Sequence, residues 1–103
     1  MDHLLDSISI IGATEMDGET MDVCAEVVAS YNLAKEMLTV HLDSFLRHTG
    51  ITGNKARAMA PWLPKPEVVE ESVSREEASD LARDVARSWR KQVMESIPAR
   101  VFH

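Results

Sequence analysis

The sequence predicts an all-α protein: one long central helix packed with an amphipathic C-terminal helix and one or two short helices, as a helical dimer. Three observations carry that prediction. Residues 20–48 run without an internal Gly or Pro and with Gly50 just beyond. Ser74-Arg75-Glu76-Glu77 opens a second run of helical period. Only 5% of the residues are aromatic against 45% hydrophobic, so Leu, Val, Ile, Ala and Met must carry the packing, which suits helix-on-helix contacts.

The 103 residues are read as a single domain, 1–103, with a proline strap at about 60–67. A core of this size is adequate but not generous, so a partner subunit would help it. The net charge of −6 and a pI near 5.1 disfavour broad phosphate binding, because nucleic-acid affinity rests largely on Lys and Arg.

Residues 2–11 admit two readings. Asp2 can cap a short helix that places Leu4, Leu5, Ile8 and Ile11 on one side. The alternation in Ser7-Ile8-Ser9-Ile10 also fits a strand. With no second strand-like segment to pair with, the helix is preferred. Gly12 and Asp17-Gly18 mark the connection that follows.

On a wheel at about 100° per residue, Cys24, Val27, Val28, Tyr31, Ala34, Leu38, Leu42, Phe45 and Leu46 form one apolar face of the central helix. Leu33, Met37 and Val40 line up at i, i+4 and i+7 away from it, with Ser30, Ser44 and His48 on the same stripe and His41 at its edge. A second, narrower stripe of this kind is a diluted heptad seam. Some 29 residues at about 1.5 Å each give a rod of about 43 Å, longer than the roughly 34 Å diameter of a compact domain of this size. The overhang points to an elongated molecule or a homodimer. Leu33, Met37, Val40, His41 and Ser44 are therefore the expected partner-binding residues. The lone Cys24 is read as a buried, inert thiol, with an intermolecular disulfide as the alternative.

After Gly50, Thr52 or Asn54 can cap a short helix over Lys55–Ala60 that Pro61 ends. Pro61, Pro64 and Pro66 hold the next stretch extended, and Trp62 and Leu63 within it are expected to plug a helix pair. In the last helix Ser74 is the N-cap, Glu77 stands at N3 and Val73 is placed for a hydrophobic staple. Ala78, Leu81, Ala82, Val85, Trp89, Val93 and Ile97 form its apolar stripe, and Pro98 stops it.

The chemistry-bearing motifs are few. His41 and His48 lie about 10 Å apart along a helix, and no paired-cysteine or HExxH spacing appears. Neither a metal nor a cofactor is expected. No nucleophile elbow, phosphate loop or dinucleotide fingerprint occurs, so the chain is not expected to be an enzyme. Residues 45–57 resemble a helix-turn-helix, with Asn54, Lys55 and Arg57 as the alternative DNA-binding residues. Leu46 and Thr49 stand against that motif, Pro61 leaves its recognition helix barely two turns long, and the net charge opposes it, so nucleic acid is a disfavoured partner. Arg83, Arg87 and Arg90 form a row that could meet an acidic group or phosphate. Asp80 and Asp84 lie three residues before two of them, which favours a self-neutralised solvent face. The acidic N-terminus lacks the basic segment of a signal peptide, and no apolar run nears the ~20 residues of a membrane span. A cytoplasmic location is expected, with no membrane partner.

In size, acidity and long-helix organisation the chain resembles the small all-helical anti-activators of bacterial quorum sensing, of the QslA type. That resemblance implies a regulatory protein that binds a LuxR-type transcription factor and blocks its dimerisation or DNA binding. It carries over no functional residue.

Overall fold

Alternate residues of the central segment are buried, and that pattern makes it two strands rather than one helix. The computed structural model describes residues 2–4, 8–16, 19–47, 58 and 60–97. Its elements are β1 (Asp2–Leu4), β2 (Ile8–Met16), β3 (Glu19–Asn32), β4 (Met37–Arg47), β5 (Glu67–Ser72) and α1 (Arg75–Ser96). In β3 the side chains of Met21, Val23, Ala25, Val27, Ala29 and Tyr31 are buried, and in β4 those of Leu38, Val40, Leu42, Ser44 and Leu46. This period of two is that of a pleated strand. The predicted all-α fold and its helical dimer are thereby overturned: the molecule is an antiparallel sheet with one C-terminal helix.

The strands run antiparallel in the order β1-β3-β4-β5, with β2 also on β3. β1 pairs with residues 30–32 of β3 and β2 with residues 19–26, so the two share one side of the same long strand. At about 3.3 Å per residue the 14 residues of β3 account for most of the 50 Å long axis. The N-terminal segment expected to be helical is thus β1 and the start of β2. Its pairing partner is β3, a segment whose helical reading had removed every strand it could join. Between Ile10 and Gly12 the register shifts by one residue, a bulge that brings Ile11 against the core.

The β3–β4 turn is Leu33-Ala34-Lys35-Glu36. The side-chain oxygen Oδ1 of Asn32 accepts from the backbone N–H of Lys35 at 3.0 Å, and Glu36 adopts a positive φ of 48°. Asn commonly initiates such a turn, but the left-handed position is usually filled by Gly or Asn. A Glu there closes the hairpin without announcing it.

One face of the sheet carries the core. Helix α1 lies on it through buried Ala78, Ala82, Trp89 and Val93, with Ile97 buried at its C-cap. Ser74 caps the helix, its hydroxyl accepting from the N–H of Glu77 at 3.4 Å. Small residues Ala25 and Ser44 face each other across β3 and β4, and the Trp89 indole N–H donates to the neighbouring Asp43 carbonyl at 3.0 Å. The proline strap closes the same side. Ala60 and Leu63 are buried in this core and Trp62 packs partly against it, while the Ser44 hydroxyl donates to the Pro64 carbonyl at 3.2 Å. The strap therefore plugs a sheet and a helix, where a helix pair was expected. The β5–α1 junction is tied to the hairpin twice. The Val73 N–H donates to the Glu36 carbonyl at 3.2 Å, and the Tyr31 hydroxyl donates to the Val73 carbonyl at 2.7 Å.

Candidate functional site

With α1 and the strap on one face, no other described element covers the second face of the sheet, in which Cys24 alone is fully buried among the described residues of β3 and β4. Its side chains are those of the opposite phase. Across β3, β4 and β5 they fall into register as rows: Asp22 with Arg47, Cys24 with Phe45, Glu26 with Asp43, Val28 with His41 and Val68, Ser30 with Thr39 and Glu70, and Asn32 with Met37 and Ser72. An antiparallel sheet tolerates water on one face and then alternates apolar-in with polar-out. This face departs from that pattern. Val28, Met37 and Phe45 are half-buried, and Val68 is 57% exposed. Leu33, 43% exposed at the tip of the β3–β4 turn, extends the apolar surface beyond the strands.

At the hairpin end the face is concave. A depression of about 270 Å³ is lined by Ser30, Asn32, Lys35, Met37, Thr39 and Glu70. Two hydroxyls, an amide and a pair of opposite charges surround one flexible thioether there. Such a surface combines hydrogen-bond partners with an adaptable apolar contact. At the other end Asp22 and Arg47 form an ion pair at 3.9 Å with both side chains about half exposed, which contributes little to stability. Cys24 is a free thiol, fully buried. Burial pushes its pKa up, with Arg47 pulling it down and Asp22 pushing it up more weakly. A thiol so placed is a poor nucleophile at neutral pH.

The predicted partner-binding residues are divided by this geometry. Met37 and His41 sit on the open face, four residues apart, and Leu33 stands at the adjoining turn. Val40 and Ser44 are fully buried on the core side, so the five do not form one stripe. Asn54, Lys55 and Arg57 lie outside the described residues, as does most of the short helix expected over Lys55–Ala60. Val28, Phe45 and Val68 were not singled out as partner-binding, although an alternating reading of residues 20–47 puts Val28 and Phe45 opposite the core-facing set. Among the described residues no three His, Cys, Asp or Glu side chains gather closely enough to hold a metal ion, and no helix is long and apolar enough to cross a membrane. Compared with models of protein families, with curated proteins and with solved structures, the chain matches none.

Proposed function

We propose that this chain is a small regulatory protein that works by binding another protein through the open face of its sheet. The observation that supports this most is the row Val28, His41 and Val68, with Met37 and Phe45 each two rows away on the same face: half-buried and exposed apolar side chains on a face that no described element covers. Apolar groups clustered on a surface and rimmed by polar ones mark interaction sites. The polar rows between these apolar residues are acidic. Glu26, Asp43 and Glu70 share the face, and the chain carries a net charge of −6. Complementary charge steers association and disfavours wrong partners, so a protein with a basic surface is the suited target. A second copy would oppose these acids to themselves, which makes the homodimer the lesser reading. A DNA-binding regulator is one kind of protein with a basic surface. Sequestration of a LuxR-type factor remains within the proposal, supported by size and acidity but no longer by a long helix.

The test is affinity capture from the native cell extract, comparing the wild-type chain with a Met37→Asp/Val68→Asp variant. Both positions face away from the core, so the variant keeps its fold and its circular dichroism. The account expects one dominant protein partner captured by the wild type and lost with the variant. Equal capture by both proteins sinks it. Light scattering of the isolated chain reads self-association separately, and a dimer broken by the same two substitutions would make the partner a second copy.

A further inference from the structure

On the opposite side of the molecule a second concavity has the reverse charge. A cleft of about 320 Å³ opens where α1 crosses the outer edge of the sheet, lined by Ser9, Ala25, Val27, Arg83, Ala86, Arg87 and Arg90. Arg83, Arg87 and Arg90 stand at i, i+4 and i+7, so a single side of the helix presents all three. Their Cα positions span about 10 Å along the axis, well within the reach of long side chains that converge on one group. The floor is apolar, made of Ala25, Val27 and Ala86. The rim is three guanidinium groups and a hydroxyl.

The neutralising aspartates do not saturate this rim. Arg83 and Arg87 approach Asp80 and Asp84 only to 3.8 Å, with all four side chains at least 69% exposed. That distance exceeds hydrogen-bonding range, and pairs so exposed are weak. Arg90 has no carboxylate within ion-pair distance among the described residues. Its Nη2 instead donates to the Ser9 hydroxyl at 2.7 Å, which ties the side chain over the cleft mouth and pre-orients its planar fork. Each guanidinium carries five N–H donors, so most donors around the cleft have no acceptor among the described residues.

We propose that this cleft binds a small organic phosphate. Three forks around one space suit a group with three terminal oxygens and a charge near −2; a carboxylate, with two oxygens and one charge, engages a single fork. The apolar floor takes the carbon skeleton to which the phosphate is attached. The volume lies at the lower end of small-molecule pockets, which favours a small ligand over a phosphorylated polypeptide. The site is independent of the open-face reading, since its guanidinium groups belong to the helix that covers the other side of the sheet.

The test is a titration of the full-length, ¹⁵N-labelled chain at low ionic strength, followed by the backbone amide and arginine Nε–H signals. The probes are phenyl phosphate, inorganic phosphate and benzoate, with sodium chloride as the control for screening. The proposal expects saturable shifts at Arg83, Arg87, Arg90, Ala25 and Ala86 with phenyl phosphate. It expects inorganic phosphate to bind the same residues more weakly, because it leaves the apolar floor empty, and benzoate to bind about tenfold more weakly or worse. Arg87→Gln, at an exposed position that bridges no elements, keeps the folded spectrum and weakens phenyl phosphate about tenfold. Shifts that grow linearly and are reproduced by sodium chloride overturn the site. Benzoate binding as tightly as phenyl phosphate overturns the ligand class, and unchanged binding by the folded Arg87→Gln chain overturns the role of the arginine row.

Discussion

Two valines separate the sheet from the helix that its sequence suggests. Val40 points into the core and is fully buried, paired with Ala29. Val28 lies one pair away, opposite His41, and is half-buried on the open face. Replacing Val40 by Ala removes two methyl groups, a transfer loss of about 1.6 kcal/mol. A residual void of about 40 Å³ in the core adds about 1 kcal/mol. The total of about 2.6 kcal/mol lowers the melting temperature of a chain this size by roughly 10–20 °C. Val28→Ala loses only part of the transfer term and leaves no enclosed void, so its cost stays near 1 kcal/mol or below. His41→Ala, at an exposed position, falls within about 0.5 kcal/mol of wild type. Thermal unfolding followed by circular dichroism, with urea midpoints on the same proteins, measures all three. The helical wheel puts Val28 in the main core and Val40 on an outer stripe, which reverses the order. A larger loss from Val28→Ala than from Val40→Ala would therefore refute the alternation on which the sheet stands.

Three further outcomes follow from the same contacts. Ser74→Ala removes the cap from α1 and costs about 1 kcal/mol, read as a lower urea midpoint with an unchanged slope; a neutral result would mean the helix start is held by the Val73 and Tyr31 contacts alone. Tyr31→Phe deletes the 2.7 Å bond to the Val73 carbonyl that joins the hairpin to the helix entry, and it lowers the melting temperature by a few degrees while leaving the strand signal intact. Stability also declines at alkaline pH. Burial raises the pKa of Cys24, and burial, then the nearby Glu36 and Glu76 carboxylates, raise that of Tyr31 against a smaller opposing pull from Arg75. A raised pKa means that the folded state holds its proton where the unfolded chain has lost it. The contribution is full below the unfolded thiol value of about 8.5 and is lost as pH rises from there through the folded values. Urea midpoints between pH 7 and 10.5 should fall over that window, and Cys24→Ala should remove its lower part; a flat profile contradicts both burials.

Much of the second half of the chain was legible. The Ser74 cap and the period from Ala78 to Ile97 each leave a local signal, and α1 falls where they do; of the stretch expected to be held extended by its prolines, Pro61 to Leu63 instead form a turn closed by the Leu63 N–H on the Ala60 carbonyl at 3.1 Å. The central segment was not legible, for a physical reason. Val27 and Tyr31, and Leu38, Leu42 and Leu46, are spaced by four, an interval that satisfies a helix of 3.6 residues per turn and a strand of period two alike. The residues that decide between them are Met21, Val23, Ala29 and Val40, buried in the sheet but off the helical face. The turn added no warning, since Glu36 takes the position where Gly or Asn is usual. With alanines and leucines throughout, helix propensity then pointed the wrong way, as tertiary pairing allows.

The same ambiguity governs the candidate site. Met37 and His41 are four apart and share a face on either reading, so the sequence places them together correctly. Val40 and Ser44 are also four apart, but on a strand they face the opposite way. Val68 carries no signal of its own, because its place beside His41 depends on β5 finding β4 across the strap.

The most direct measurement of the central claim is methyl cross-saturation on the chain bound to its captured partner, with Val, Leu and Met methyls labelled. The account predicts loss of intensity at Val28, Met37, Val68 and Leu33, while Val40, Leu42 and the methyls packed under α1 keep theirs. Saturation concentrated on α1, at Leu81, Val85 or Met94, would place the partner on the helix side and contradict binding through the open face of the sheet.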